Sequence, residues 1–295
     1  MGRMSEPRDI LRRHCSEESV TSPIPKLTLL RSDVVNEPSA VSYAPLFCML
    51  ASGRKRVWLG RQEFVYGPRD YLITSAELPL VAQVIEAPYL GFAFTLDPKV
   101  IAEILLELPK ADPGRVPSKA VAVARAEDEL FDAVGRLLRL LDRPLHIPIM
   151  APMVEREILF HLLQGPHADT IRQIGAPASP LSQVRRGIDW IREHYNETMR
   201  VGRAAKAAGM STPTFHRHFR AVTNLSPLQF QKRLRLEEAR RRLLAERADA
   251  ASIAFDVGYE SPSQFSREYR RMFGAPPRRD ASEARRRLLE PVAVS

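Results

Sequence analysis

Cysteine is scarce in this chain: two in 295 residues, Cys15 and Cys48, and neither belongs to a CxxC pair or a metal-ligand spacing. A metal or redox role is not expected of them; one core thiol and one surface thiol is the expectation. Histidine is absent from residues 26–97, and the seven that occur lie at 14, 146, 161, 167, 194, 216 and 218. His216 and His218 stand two apart on a helical pattern, so they diverge and cannot share a metal. No GxSxG, GxxxxGK[ST] or HExxH occurs. The sequence therefore offers no catalytic residue, no metal site and no cofactor site, and an enzyme is not expected. No run approaches the ~18 apolar residues of a membrane-spanning helix. The start, MGRMSEPRDILRRHCSEE, has no apolar core of signal-peptide length. A cytoplasmic protein without membrane association is the expectation.

What is present is a one-sided charge. Residues 181–295 hold 23 basic and 13 acidic side chains, a net +10, whereas the first 180 hold 21 and 22, a net −1. A basic segment of this kind is the electrostatic footprint of a polyanion partner. The length suits two domains.

Residues 1–25 are polar and read as a disordered arm. Over 26–97 apolar and polar residues alternate, as in RKRVWLG (54–60) and DYLITS (70–75), with glycine and proline at short intervals. Many short strands with turn signals suggest a β-barrel or sandwich. From residue 97 the period changes to 3.6, with helices expected at 100–108, 126–142 and 151–165. The last two suit self-association, with Leu137 and Leu141 on the apolar stripe; packing on their own barrel is the other reading. GAPASP (175–180) supplies the linker, placed at 176–180. Everything beyond it reads helical, so 26–175 and 181–290 are the two expected domains.

The basic segment contains a repeat: RAAKAAGMSTPTFHRHFRAVTN (203–224) and SIAFDVGYESPSQFSREYRRMFG (252–274). In each copy a small alanine (Ala205, Ala254) lets a second helix cross closely. A glycine four residues on (Gly209, Gly258) ends the first helix. A serine (Ser211, Ser261) then caps the next helix, with Pro213 or Pro262 in its first turn. Phe215 and Phe219, like Phe265 and Tyr269, fall i,i+4 and face inward. Thr214, His216, Arg217 and Arg220 must then face outward in the first copy, and Ser263, Gln264, Arg267 and Arg271 in the second. A helix so presented fits a DNA major groove, where Arg grips guanine and Gln adenine. SPLQFQKRLRLEEARRRLLAE (226–246) reads as a long helix holding the two units apart.

The stretches LSQVRRGIDWIREHY, SPLQFQKRLRLEEAR and IAFDVGYESPSQFSREYRRMFG resemble the DNA-binding domain of the AraC/XylS family of bacterial transcription regulators over about residues 181–277. The resemblance implies seven helices with two helix-turn-helix units. It places base-reading positions at Pro213, His216 and Arg217, and at Pro262, Ser263 and Arg267. GRKRVWLG, YGPRDYLITSAELPL, PYLGFAFTLDP and APMVEREILFHLL are similar to the AraC-type N-terminal domain, which implies a cupin-like β-barrel with a helical pair, used for effector sensing and dimerisation. The expected class is thus α+β: such a barrel followed by an all-α domain. Two departures stand out. Ala204 occupies a position where the family has a larger aliphatic, and PPRRDA replaces its usual ending.

The partners so implied are double-stranded operator DNA, RNA polymerase, a small organic effector and a second copy of the chain. Tyr43, Phe47, Trp58, Tyr66, Tyr71, Phe92 and Phe94 lie on candidate strands and are the candidate effector residues, with core packing as the alternative. Arg54, Lys55, Arg56 and Arg61 are either a solvated hairpin or an anion site. The competing functions are a regulator without effector, an architectural DNA-binder, and a cupin-type enzyme.

Overall fold

A computed structural model of the chain describes residues 5–60, 62–109, 118–245 and 249–289. The alternating segment forms β1 (Ser19–Thr21), β2 (Leu27–Ser32), β3 (Ser39–Tyr43), β4 (Leu46–Leu59), β5 (Gln62–Tyr66), β6 (Asp70–Thr74) and β7 (Leu78–Thr95), joined later by β8 (Val121–Arg125). All pair antiparallel in one sheet ordered β1-β2-β7-β4-β6-β8, with β3 also on β7 and β5 also on β4. The long strands β4 and β7 are its spine, paired from Leu46 opposite Thr95 to Trp58 opposite Val81. Register shifts between Leu50 and Lys55 break the ladder midway, the kind of irregularity that bends a strand. Gly53 sits there at φ +75, where a Cβ would lie 2.5 Å from the Glu86 carbonyl oxygen; no larger residue fits.

Helices cover this sheet: α2 (Pro98–Glu107), α3 (Asp128–Arg139), two 3-10 turns (Leu140–Asp142 and Pro144–His146), α4 (Ile147–Gln164) and α5 (Ala168–Gly175). The apolar stripe of α3, Leu137 included, is buried within the chain's own core, and so is Leu141 in the turn that follows. Those two leucines are therefore not a contact surface; the helix pair packs on its own sheet.

The arm expected over residues 1–25 is a correction. Ser5–His14 is a helix, α1, followed by β1. Ile10 and Leu11, with Cys15 one turn further along just past the helix, are buried in the same core. Arg13 and His14 each meet Asp142 at 2.7 Å. Few apolar residues sufficed because all of them fall on one face. Cys48 is buried as well as Cys15, so neither thiol is at the surface.

After residues 176–179 the chain is helical: α6 (Pro180–Glu193), α7 (Val201–Ala207), α8 (Thr212–Thr223), α9 (Pro227–Ala245), α10 (Ala250–Asp256), α11 (Pro262–Phe273) and α12 (Pro277–Leu289). The architecture is thus the α+β arrangement expected, a sheet domain followed by a helical one. The junction is tied down: Ser179 and Ser182 donate to the Gln173 carbonyl at 2.6 and 2.9 Å. Apolar packing runs from the sheet through α6 into Phe215, Phe219 and Phe230, while Leu236, Phe265 and Tyr269 belong to a second, separate cluster. No helix among the described residues is long and apolar enough to cross a membrane.

Candidate nucleic-acid interface

The two repeats fold into the same local structure. In the first, Gly209 takes φ +66, its N–H reaches the Lys206 carbonyl at 3.0 Å, and the Met210 N–H reaches Ala205 at 2.9 Å. In the second, Gly258 takes φ +92, with Gly258 to Phe255 and Tyr259 to Ala254 both at 2.9 Å. This pair of bonds closes a helix through a left-handed residue, and glycine adopts it without strain. Ser211 then caps α8 by accepting from the Thr214 N–H, and Ser261 caps α11 by accepting from Gln264. The aromatic pairs pack as the spacing required, with ring centroids 5.2 Å apart for Phe215–Phe219 and 5.4 Å for Phe265–Tyr269.

Burying those rings sets the outer faces. Pro213, His216, Arg217 and Arg220 are exposed on α8; Ser263, Arg267 and Arg271 are exposed on α11. Pro262 is half-buried. Thr214 is half-buried too and accepts from the Ser211 hydroxyl at 2.9 Å. Gln264 donates to Glu268 at 3.1 Å. That carboxylate also holds Lys232 at 2.8 Å and the Tyr259 hydroxyl at 2.9 Å. Gln264 must therefore leave a satisfied carboxylate before it can grip a base.

Many arginines of the helical domain are already engaged by carboxylates. Arg233, Arg240, Arg241, Arg242, Arg278 and Arg279 all pair with carboxylates. Arg217, Arg220, Arg267 and Arg271 are in no ion pair among the described residues. Neither is Arg270, exposed one turn beyond Arg267 on α11. The sequence reading passed over Arg270, although its i,i+3 spacing from Arg267 was visible. Burial and then Arg217 lower the pKa of His218, so it adds no charge near neutrality.

Two fixed elements hold the units. Gly187 on α6 packs so closely that a Cβ would lie 2.3 Å from the Phe215 ring and 3.3 Å from the Ala204 carbonyl. Ala204 is itself fully buried, so small residues on α6 and α7 bring the Phe215 ring in. On α9, Arg235 donates to three backbone carbonyls: Tyr195 at 2.7 Å, Glu197 at 2.6 Å and Gly258 at 2.7 Å. The last lies in the second unit's turn. The family-atypical ending still forms a helix, α12, whose Asp280 accepts from Tyr269 at 2.8 Å and Arg240 at 2.9 Å.

The candidate effector residues divide. Phe47, Tyr66, Tyr71, Phe92 and Phe94 are fully buried side chains, and Phe47 packs on Tyr71 and Phe92 with centroids 5.6 and 5.8 Å apart. Those three rings fill the sheet's interior. Tyr43 and Trp58 are half-buried, and Trp58 carries Arg56 over its ring at 5.6 Å. Arg61 lies outside the described residues. A cleft of about 680 Å³ lies elsewhere, between β3 and α9, lined by Ser39–Ser42, Arg192, Tyr195, Leu234 and Glu237 among others. No group of three or more His, Cys, Asp or Glu among the described residues is placed to hold a metal.

A sheet domain carrying two capped helix-turn-helix units with unpaired arginines on their outer faces defines a regulator of the DNA-binding class. Residues 23–170 match the family described as the AraC-type transcriptional regulator N-terminus, and residues 204–290 match a helix-turn-helix domain family. The chain belongs to the AraC/XylS family of transcription regulators. A curated relative, the HTH-type transcriptional activator RhaS of Escherichia fergusonii, is 28% identical over 181 residues, 59% of this chain and 63% of that protein. The alignment thus spans under two thirds of the relative's length. Among solved structures, an apo variant of ToxT from Vibrio cholerae strain SCE256 covers 91% of this chain and 98% of its own, at TM-score 0.52 and 8% identity. Wild-type ToxT from that strain, bound to an unsaturated fatty acid, covers 88% and 95% at TM-score 0.51 and 9% identity. At such identities the likeness is one of fold.

Proposed function

We propose that the chain is a sequence-specific, DNA-binding transcription regulator that reads its operator with α8 and α11 and responds to a small organic effector through the N-terminal domain. The observation that carries this is that five exposed arginines in no ion pair among the described residues, Arg217, Arg220, Arg267, Arg270 and Arg271, lie on the second helices of the two helix-turn-helix units. Arg217 and Arg267 occupy equivalent positions and act as the principal base readers. His216, Arg220, Ser263, Arg270 and Arg271 contact bases or phosphates, and Pro213 and Pro262 offer only apolar contact. The effector reading draws on the ToxT likeness, since that protein binds a fatty acid. Residues 26–175 then sense the effector and dimerise, 176–180 link, and 181–290 bind DNA. RNA polymerase is the further partner, the cytoplasm the location, and regulation, not catalysis, the activity.

The test is a gel-shift titration on an operator selected from genomic fragments by the full-length protein. Arg217→Ala or Arg267→Ala should each weaken operator binding by about 1–3 kcal/mol while binding to unrelated DNA changes far less. Parental affinity in both variants would refute the groove assignment. Equal losses on all DNA would favour an architectural binder.

A second copy docks through α4. Leu137 and Leu141 are interior, but Leu145 in the turn before α4 and Ile149, Met153 and Phe160 on α4 form a stripe with exposures of 91, 71, 60 and 42%.

A further inference from the structure

Three consecutive basic residues on β4 meet three different fates. Arg54 pairs with Glu86 at 3.3 Å, and Arg56 pairs with Glu63 at 2.9 Å. Lys55 between them is in no ion pair among the described residues. Strand alternation explains the split. Lys55 shares its face with the buried Val57 and Leu59, and its cross-strand partners Tyr66 and Val84 are buried as well. Its ammonium lies 3.4 Å from the Tyr89 hydroxyl, over the Tyr89 ring at 5.1 Å and the Tyr43 ring at 5.6 Å. Cys48 and Tyr66 complete the group, their sulfur and oxygen 3.6 Å apart.

None of these neighbours supplies a negative charge near neutrality. Burial pushes up the Tyr66 and Tyr89 phenols and the Cys48 thiol. Burial acts to lower Lys55 itself, and hydrogen bonding of its ammonium to the tyrosine hydroxyls acts against that. The result is a half-buried ammonium set among tyrosine hydroxyls and rings, with no counter-ion among the described residues. A partly buried charge without a counter-ion is unfavourable unless something else compensates it.

We propose that Lys55 is the anion-binding group of the effector site and that the effector is a small organic acid with an apolar body, its carboxylate paired with the Lys55 ammonium and bonded by the tyrosine hydroxyls. This rests on the effector-responsive regulator reading above. A carboxylate suits a single cation among phenol donors. Phosphate would bring a second charge with no second cation to meet it, and the aromatic rings match an apolar body. Tyr43 is more exposed than Tyr66, Tyr89 and Cys48 and closes β3, an edge strand held by β7 alone, so a ligand approaches from its side.

The experiment compares thermal unfolding of the full-length protein and of Lys55→Met in the presence of 3-phenylpropionate, hexanoate, their neutral amides and inorganic phosphate. At millimolar probe the parent should gain about 2–4 °C with at least one carboxylate and nothing with amides or phosphate. Lys55→Met should show no gain, and without probe it should melt no lower than the parent, because it removes an uncompensated charge. A clear loss of stability in ligand-free Lys55→Met would make the lysine structural, held by its two rings, and overturn the proposal. So would equal gains with the amides, a gain retained in Lys55→Met, or no gain with either acid. Operator binding without probe is measured alongside. The variant should bind DNA as the parent does, and failure of the parent to select any DNA would instead break the regulator reading.

Discussion

At the scale of single residues, the interface depends on groups that never touch DNA. Arg235 spends its guanidinium on the carbonyls of Tyr195, Glu197 and Gly258. Its planar fork reaches all three at once, which a lysine cannot do. Gly258 has no room for a side chain, since a Cβ would lie 2.2 Å from the Asn196 carbonyl oxygen; the turn of the second unit is thereby pressed against the loop after α6. Gly187 does the same for the first unit, where its missing Cβ is filled by the Phe215 ring. Gly187→Ala should therefore destabilise the chain by about 1–3 kcal/mol, as overpacking does, despite the better helix propensity of alanine. Urea denaturation of parent and variant gives the value. A gain in stability would show that the ring can move aside and that α8 is not held by this contact.

At the scale of elements, α9 both spaces the two units and faces the sheet domain across the cleft beside β3. Glu237 lines that cleft. Burial pushes its carboxyl up to about 7, and Arg233 at 3.2 Å opposes the shift without cancelling it. The folded carboxyl then holds its proton between the ordinary carboxylate pKa of 4.5 and about 7 while the unfolded one does not. Folding takes up a proton in that window, so this group's contribution falls as pH rises from about 4.5 to 7 and stays low above it. The scale is about 3 kcal/mol. Glu237→Gln should flatten this part of the pH dependence and be more stable than the parent at pH 8, which urea midpoints at pH 5 and 8 would reveal. Identical midpoint shifts in parent and variant would mean that Glu237 is charged when folded. The repeat that α9 connects could be read from sequence because its determinants are local: Gly209, Ser211, Pro213 and two aromatics one turn apart specify the unit within a dozen residues. The sheet domain was legible only in outline. β8 finds its partner β6 across some fifty residues, α5 has the length of barely two turns, and α1 brings only Ile10 and Leu11 into the apolar core cluster. The aromatic strands gave no sign of which rings fill the core, because that follows from the bend of β4 and β7. Lys55 looked like its neighbours until Glu86 and Glu63 were brought across to Arg54 and Arg56 and not to it.

At the scale of the whole molecule, the two units are not equally joined to the sheet. The first shares its apolar cluster with the N-terminal domain, whereas the second has its own around α9–α12. Polar ties follow the same division: Arg192 of α6 pairs with Glu77 and donates to Ser42 on β3 at 3.3 Å, and the β4–β5 turn at Gly60 packs beside Asn224 at the end of α8. A shift of β3 is thus felt by α6, and a shift of the β4–β5 turn by α8. An effector can move the regulator only by binding two such arrangements unequally. The proposed self-association would add a second level, at the exposed face that runs from Leu145 along α4. Leu145, Ile149 and Met153 recur every four residues and have no covering element within the described chain, and Met150 extends the patch beside them. Joining two copies there would bring four recognition helices to paired sites without disturbing any of them. Ile149→Arg with Met153→Arg should therefore give a monomer in sedimentation at micromolar concentration where the parent is a dimer. The double variant should keep its melting temperature and its affinity for a single site, and lose the tighter binding to two. If the parent sediments as a monomer, the α4 face is not a dimer contact and the two units of one chain must read the operator alone. If the variant is monomeric yet binds paired sites as tightly as the parent, the copies meet on DNA through some other surface.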